Sequence, residues 1–326
     1  MAPTKNEVVD DEEYFSEAFE KAVHHALKEW PPDIVQAEWI GSVRYLDYAS
    51  MRSIPTIYSA HNLEHLVVAG PAKGWRRVAA LPFSHKMARI EKAWAAKVTA
   101  VSAVAPKEAD WYRSANPKTY HVPNAVWTDE YAFRLPSTRA DGPVAFIGHL
   151  GYPPNRAAAV TVVREVFPFL RKRRPGQKCL IAGRMPDSGL LALAEKNVSV
   201  LGDVKNMSDI WSRIRLLLCP LTWGAGSRVK LLEAAAWGVP IVATPLSAEG
   251  LSFKPDRDYV AVDSPGEMAE KALAMLADPS WADALVHRAR QTLMAEHDWQ
   301  AIGPNLASLY GDILPYGLQE APGCNP

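Results

Sequence analysis

The stretch GAGSRVKLLEAAAWGVPIVATPLSAEGL, residues 224–251, decides how the rest of the chain is read. Gly224 and Gly226 let a backbone approach a ligand closely. Ser227 is a good N-cap for the helix that follows, and Arg228 and Lys230 fall in its first turn. Cations there oppose the helix dipole at about 0.3–1 kcal/mol each, a penalty that makes sense if a dianion docks where the free N–H groups point. The plainer reading is a solvated basic turn, and the dipole argues against it. Glu233 follows inside the apolar run LLEAAAWGVPIV, where an unpaired carboxylate is costly. Either a ribose diol, donating two hydroxyl hydrogen bonds, or a nearby arginine would satisfy it.

Outward from this segment the pattern is regular. VAFIG (144–148), KCLIAG (178–183), VSVLG (198–202), LLLCPL (216–221), PIVAT (240–244) and YVAV (259–262) alternate with stretches of helical spacing. Six such strands predict a doubly wound parallel α/β domain over residues 143–296, with its ligand at the carboxyl ends of the strands. Upstream, DIVQAEWI (33–40), TIYSAH (56–61), KVTAVS (97–102) and TYHVPN (119–124) predict a second parallel sheet within residues 1–130. Phe15, Phe19, Val23 and Leu27 predict an amphipathic helix from Glu12 to Trp30, stopped by Pro31-Pro32. The polar stretch from Trp127 to Pro143 is the candidate hinge. Residues 297–326 hold a last helix, Trp299 to Leu314, of the kind that crosses back to the first domain in two-domain folds, and a loose tail from Pro315.

Composition narrows the function classes. Apolar residues make up 48% of the 326 and charged residues 22%, the values of a folded globular chain. Lys plus Arg equals Asp plus Glu at 36 each, so no net field favours general nucleic-acid binding or an anionic membrane. The run Arg171-Lys172-Arg173-Arg174 ends a predicted helix, where cations suit the dipole. Cys179, Cys219 and Cys324 are too scattered for a disulfide framework, which points to a reducing cytoplasm. The acidic N-terminus has no apolar h-region, and no apolar run is long enough to span a bilayer, so neither secretion by that route nor a membrane span is expected.

Segment 224–251 is similar to the donor motif of retaining GT-B glycosyltransferases of family 4, whose variant form reads G-S-G-x-R-x-K-x-x-E-A-x-A-x-G-x-P-V-V. Gly224, Gly226, Arg228, Lys230, Glu233, Ala234, Ala236, Gly238 and Pro240 match it. FIGHLGYPPN (146–155), IAGR (181–184), LGDV (201–204) and AEGL (248–251) resemble further donor-domain segments, in family order. TIYSAHNLEHL (56–66), VTAVSA (98–103) and HVPNAV (121–126) resemble pieces of the first domain. The resemblance implies a GT-B fold, two Rossmann-like domains facing a cleft, with the N-terminal one truncated. It implies that Arg228 and Lys230 bind the donor diphosphate and Glu233 the nucleotide ribose. Gly148, Gly151, Arg184, Gly224, Ala225, Gly226 and Ser227 would line the donor, and His61 would reach its sugar across the cleft. No metal and no cofactor beyond the nucleoside-diphosphate sugar is implied.

Two departures matter. Ala225 stands where the common E-x(7)-E form carries its first Glu, leaving the backbone of Gly224 to Ser227 to position the sugar. The strand and Gly-rich loop that usually open the family are not seen ahead of DIVQAEWI, so a bulky acceptor or a partner chain is expected to complete the acceptor wall.

The expected function is metal-independent, retaining transfer of a sugar from a nucleoside-diphosphate sugar to an acceptor hydroxyl. A degenerate protein that binds nucleotide-sugar or a partner without transfer, and a same-fold hydrolase or epimerase, are the alternatives; fold alone does not establish chemistry. Two short motifs compete. His61-Asn-Leu-Glu64-His65 matches the zinc-protease pattern H-x-x-E-H, but at a strand end rather than on a helix. Asp256-Arg-Asp258 is literally D-x-D, in a Pro-led polar turn.

Overall fold

The computed structural model describes residues 15–70, 75–139, 141–224 and 228–314. Cys324, the tail from Pro315, and Ala225, Gly226 and Ser227 therefore lie outside the described residues, as do positions 12–14 of the expected first helix. The chain divides into two compact units. One comprises Met1–Pro123 with Gly224–Ser227 and Ile302–Pro326; the other comprises Asn124–Trp223 and Arg228–Ala301.

The first unit is built on four parallel strands, β1 (Val35–Glu38), β2 (Thr56–Ala60), β3 (Ala100–Ala103) and β4 (Thr119–His121), lying in that order. Helices α1 (Glu17–Glu29), α2 (Leu46–Met51), α3 (Glu64–Ala69), α4 (Trp75–Lys97) and α5 (Pro106–Arg113) accompany them. Alternation along a strand sends neighbours to opposite faces. Tyr58 and Val101 thus join a core with Ala37, Met87 and Tyr112, while Ile57 and Ala100 join another with Leu309 and Ile313 of the last helix, Trp299–Ile313. The first helix starts at Glu17, where the Ser16 hydroxyl accepts from the Phe19 N–H at 3.3 Å. Phe15 and Phe19 lean on the Tyr45 ring, and Arg52 donates to the Leu27 carbonyl at 2.8 Å, which fixes α1 to the segment around α2.

The second unit is the doubly wound domain expected from the sequence. Its strands are β5 (Val144–Ile147), β6 (Cys179–Gly183), β7 (Val198–Gly202), β8 (Leu216–Cys219), β9 (Ile241–Ala243) and β10 (Val260–Ala261). All pair in parallel, in the order β10-β9-β8-β5-β6-β7. The chain starts at the centre, runs out through β6 and β7, and returns to the other side with β8, so the topological switch point lies between β5 and β8. Both strands are buried along their whole length, as continuous apolar runs in parallel sheets require. Its helices are α6 (Pro153–Thr161), α7 (Phe167–Arg173), α8 (Ser188–Leu191), α9 (Met207–Trp211), α10 (Val229–Trp237), α11 (Pro265–Ala277) and α12 (Pro279–Glu296); the last helix, α13 (Trp299–Ile313), belongs from Ile302 onward to the first unit. Arg171, Lys172 and Arg173 occupy the last turn of α7, the place the dipole favours.

The polar stretch from Trp127 to Pro143, read from the sequence as a hinge, is fastened to this unit. Asp298 accepts from the Thr128 N–H at 3.1 Å, Asp283 from the Ser137 N–H at 3.0 Å, and Arg139 donates to the Ile214 carbonyl at 3.0 Å. The same stretch explains Gly238. It ends α10 in the left-handed conformation, φ 69°, and a Cβ on it would lie 2.3 Å from the Arg134 carbonyl oxygen. Both facts exclude a side chain. Gly238→Ala is expected to destabilise the second unit by more than about 1 kcal/mol, lowering its melting midpoint by at least about 2 °C; an unchanged melt would contradict this account.

Candidate functional site

Helix α10 forms because Leu231, Leu232, Ala234 and Ala235 give it a wholly buried stripe. It begins one residue later than the sequence suggested. Arg228, at φ −100° and ψ 85°, holds the N-cap position with no side-chain cap hydrogen bond, and Lys230 is the second helical residue. The Arg228 side chain is buried, 9% exposed. Two cations therefore stand at a helix start, against the dipole.

Lys230 is the centre of the arrangement. Its ammonium donates to Asn155 Oδ1 at 2.6 Å and lies 4.4 Å from the centre of the Phe146 ring. Burial holds its pKa below that of an ordinary lysine; Arg228 pushes the same way, and Glu233 opposes. Phe146 belongs to β5 and Asn155 to the first turn of α6, so one ammonium links β5, α6 and α10 beside the switch point. Asn155 also donates to the His149 carbonyl at 3.0 Å, which shapes the loop between β5 and α6.

Glycine makes that loop possible. A Cβ on Gly148 would fall 2.7 Å from Lys230 Nζ, and one on Gly183 would fall 1.7 Å from the Gly148 carbonyl oxygen. The Gly148 N–H reaches the Ala182 carbonyl at 3.1 Å and the Leu150 N–H the Arg184 carbonyl at 2.8 Å. Gly151 faces Met185 closely enough that an added Cβ would lie 3.2 Å from its Cβ. Gly148, Gly151, Arg184, Arg228, Lys230 and Glu233 thus all belong to the second unit, with Gly148 and Arg184 following the carboxyl ends of β5 and β6. The Arg184 side chain is exposed. Gly224, with φ 114°, has a conformation that suits glycine.

Glu233 is half-buried on α10, one turn after Lys230. Among the described residues nothing donates a hydrogen bond to its carboxylate or forms an ion pair with it. Burial pushes its pKa up to about 7, with Lys230 pulling the other way. Of the two partners left open by the sequence, an arginine is not found among the described residues.

His61 belongs to the first unit, at the carboxyl end of β2. Its ring is exposed, and Nε2 lies 2.7 Å from Glu38 Oε2 at the end of β1. That hydrogen bond is the main reason the Glu38 carboxyl is lowered to about 2. The neighbouring members of H-x-x-E-H go elsewhere. Glu64 accepts from Trp39 Nε1 at 2.9 Å and Asn62 Nδ2 at 3.1 Å, while His65 Nδ1 meets Glu91 Oε2 at 2.7 Å. The fully buried Glu91 also accepts from the Glu64 N–H at 2.7 Å and the Tyr112 hydroxyl at 3.1 Å. The motif is thus three separate attachments that fix the loop after β2. Asp258 of the D-x-D triplet is 1% exposed and accepts from the Lys254 N–H and the Thr292 hydroxyl, and Asp256 takes φ 57°; the triplet is a turn. Among the described residues, no group of three or more His, Cys, Asp and Glu is placed to hold a metal ion.

Three participants were not singled out from the sequence: Asn155, Phe146 and Glu38. Asn155 had a signal, being the first-turn amide of a partly apolar helix; it is buried beside the exposed Arg156. Phe146 and Glu38 had none, since their partners come from remote segments.

The two parallel α/β units have counterparts among known proteins. Residues 142–278 match the model of glycosyl transferases group 1, and residues 3–130 that of glycosyltransferase family 4. The chain belongs to these GT-B glycosyltransferases. It is 27% identical over 218 residues to a phosphatidyl-myo-inositol mannosyltransferase of Propionibacterium freudenreichii, covering 65% of this chain and 55% of that protein. The chain therefore spans about half the length of that curated relative. Among solved structures it is similar to a sucrose-phosphate synthase from Thermosynechococcus elongatus, with a TM-score of 0.71 and 19% identity over 92% of this chain and 78% of that one. It is also similar to Anabaena HepE in complex with UDP and glucose, with a TM-score of 0.67 and 16% identity over 90% and 80% of the two chains. No helix among the described residues is long and apolar enough to cross a membrane.

The raised Glu233 pKa has a signed consequence for stability. The folded state holds a proton that the unfolded chain, with a carboxyl near 4.5, has already released. Stability is therefore lost as pH rises from about 4.5 to about 7, by up to about 3 kcal/mol if the whole shift is expressed. Denaturant unfolding of wild type and Glu233→Gln at pH 5 and pH 8 measures it: the wild type is expected to lose ground to the variant at the higher pH. Parallel losses in the two proteins would show that Glu233 is not strained.

Proposed function

We propose that the protein transfers a sugar from a nucleoside-diphosphate sugar to an acceptor hydroxyl, without a metal and with retention at the anomeric carbon. The observation that carries this reading is the half-buried Lys230 ammonium, with no carboxylate within ion-pair distance among the described residues, at the start of a helix without a side-chain cap beside the switch point. A diphosphate there would meet Arg228, Lys230 and the first N–H groups of α10. Preorganised charge of that kind stabilises the negative charge that develops on a leaving diphosphate, often the largest catalytic term. Gly148, Gly151 and Arg184 are assigned to the donor's surroundings, and Gly224, Ala225, Gly226 and Ser227 to the backbone that positions its sugar. Glu233, raised to about 7 and unpartnered, is assigned to the ribose diol. Relatives of this fold have been solved with UDP, which supports a nucleoside diphosphate as the ligand class.

In the proposed reaction the acceptor oxygen forms the new bond to the anomeric carbon on the face the diphosphate leaves. A diphosphate oxygen takes the hydroxyl proton, so no side-chain nucleophile is needed. His61 acts in transfer rather than in nucleotide binding, its ring held by Glu38. The acceptor is bulky, or a partner chain completes its site. Strand β1 is the edge of the described sheet, and Trp30 and Met51, about 80% exposed, offer apolar surface on neighbouring segments.

Calorimetry of Glu233→Gln separates ribose reading from diphosphate binding. The variant is expected to bind the preferred nucleoside diphosphate about 10- to 150-fold more weakly, the worth of a charge-assisted hydrogen bond, and inorganic pyrophosphate almost as well as wild type. Equal losses for both ligands would remove Glu233 from the ribose. In a turnover assay with EDTA present, sugar transfer is expected to persist, and His61→Ala to lower kcat by about 10-fold or more while nucleoside-diphosphate affinity holds. A reaction that requires added Mn²⁺, or saturable donor binding with no turnover on any acceptor, would overturn the proposal.

A further inference from the structure

A cavity of about 970 Å³ opens beside the amino ends of β5 and β6, and neither Gly148 nor Lys230 lines it. Four cationic side chains, Arg134, Arg139, Lys178 and Arg213, line it together with one carboxylate, Asp141. The chain as a whole is neutral, with 36 cationic and 36 acidic residues, so this is a local concentration of charge.

Arg139 is the feature that asks for an anion. Its side chain is 7% exposed, yet no carboxylate pairs with it among the described residues. Its terminal nitrogens donate to the Ile214, Arg134 and Trp237 carbonyls, and its Nε, buried, has no hydrogen-bond partner. Burial first, and Arg134 second, bring its pKa down to about 10, which still leaves it charged at neutral pH. Arg134, Lys178 and Arg213 are exposed and form no ion pair among the described residues; Arg213 gives its Nε to the Asp209 carbonyl at 2.7 Å. A buried guanidinium among like charges is costly until an anion joins it. Guanidinium groups also match the oxygens of a phosphate in a way that a lone ammonium does not.

Leu180 and Ile210 supply apolar wall in the same cavity, and its volume is at the upper end of the ~300–1,000 Å³ typical of small-molecule sites. The space exceeds what a bare phosphate fills. We propose that this cavity binds a small organic phosphate, its phosphoryl oxygens on the exposed Arg134, Lys178 and Arg213, with the buried Arg139 charge behind them, and its carbon skeleton against Leu180 and Ile210. The proposal is independent of the donor-site reading, because the two sets of residues are distinct.

The test is isothermal titration of the full chain with glucose 6-phosphate, fructose 1,6-bisphosphate and, as control, unphosphorylated glucose. At least one of the two sugar phosphates is expected to bind saturably and glucose not at all. Lys178→Glu combined with Arg213→Glu reverses two exposed charges and is expected to weaken that binding by about 10-fold or more. Arg134→Glu is expected to weaken it in the same direction. Lys230→Ala, a distant change, should leave it within about twofold. Failure of the wild type to bind either sugar phosphate overturns the proposal. So does binding that survives the double charge reversal, or binding that Lys230→Ala abolishes, which would place the phosphate at the donor site instead.

Discussion

Taking an ammonium even partly out of water without a carboxylate beside it is costly, and much of the second unit's detail follows from the accommodation of the half-buried Lys230. The Asn155 hydrogen bond, of order 1.5–3 kcal/mol, and the Phe146 ring face, about 2 kcal/mol when desolvated, recover a good part of that. The rest is available to an incoming anion. For the ammonium to sit there, Gly148 must lack a side chain, and for the Gly148 carbonyl to turn as it does, Gly183 must lack one too. The loops after β5 and β6 therefore interlock through two glycines, and the start of α10 is pinned to the first of these loops and to α6. A ligand in this region meets a surface whose shape is set before it arrives, the condition under which fixed charges are most effective.

Glu233 carries the complementary strain. One turn beyond Lys230, it lacks a partner in the described structure and holds a proton near neutrality. A ligand that brings two hydroxyl donors to it and negative charge to Lys230 relieves both side chains at once. Under the proposed reading, this coupling would favour a nucleoside diphosphate over pyrophosphate or a nucleoside alone.

Much of this was legible in the sequence, for identifiable reasons. Strands β5, β6, β8 and β9 of the second unit are buried, largely apolar runs because a parallel sheet is covered on both faces, and all six strands were found within a residue or two of their places. Arg228 and Lys230 stood out because they violate the dipole preference at a helix start. Glu233 stood out as a carboxylate in an apolar run. What local pattern could not supply was the partner in each long-range contact: Asn155 lies 75 positions from Lys230 and Glu38 lies 23 from His61. The polar stretch from Trp127 to Pro143 misled for the same reason. Its backbone groups are satisfied by Asp283 and Asp298, far along the chain, so it reads as loose when it is fastened. His61, Glu64 and His65, for which the sequence reading argues against a metal site, bond instead to Glu38, to Trp39 and Asn62, and to Glu91.

The central claim is that a nucleoside diphosphate docks on the start of α10 and the loop after β5. Hydrogen–deuterium exchange of the full chain, with and without saturating UDP, GDP, ADP or dTDP, tests it most directly. The account predicts that at least one of these nucleotides slows exchange in residues 146–155 and 229–237, with no effect of that size elsewhere in the second unit. Nucleotide binding accompanied by protection only in other segments, or no binding by any of the four, would contradict it.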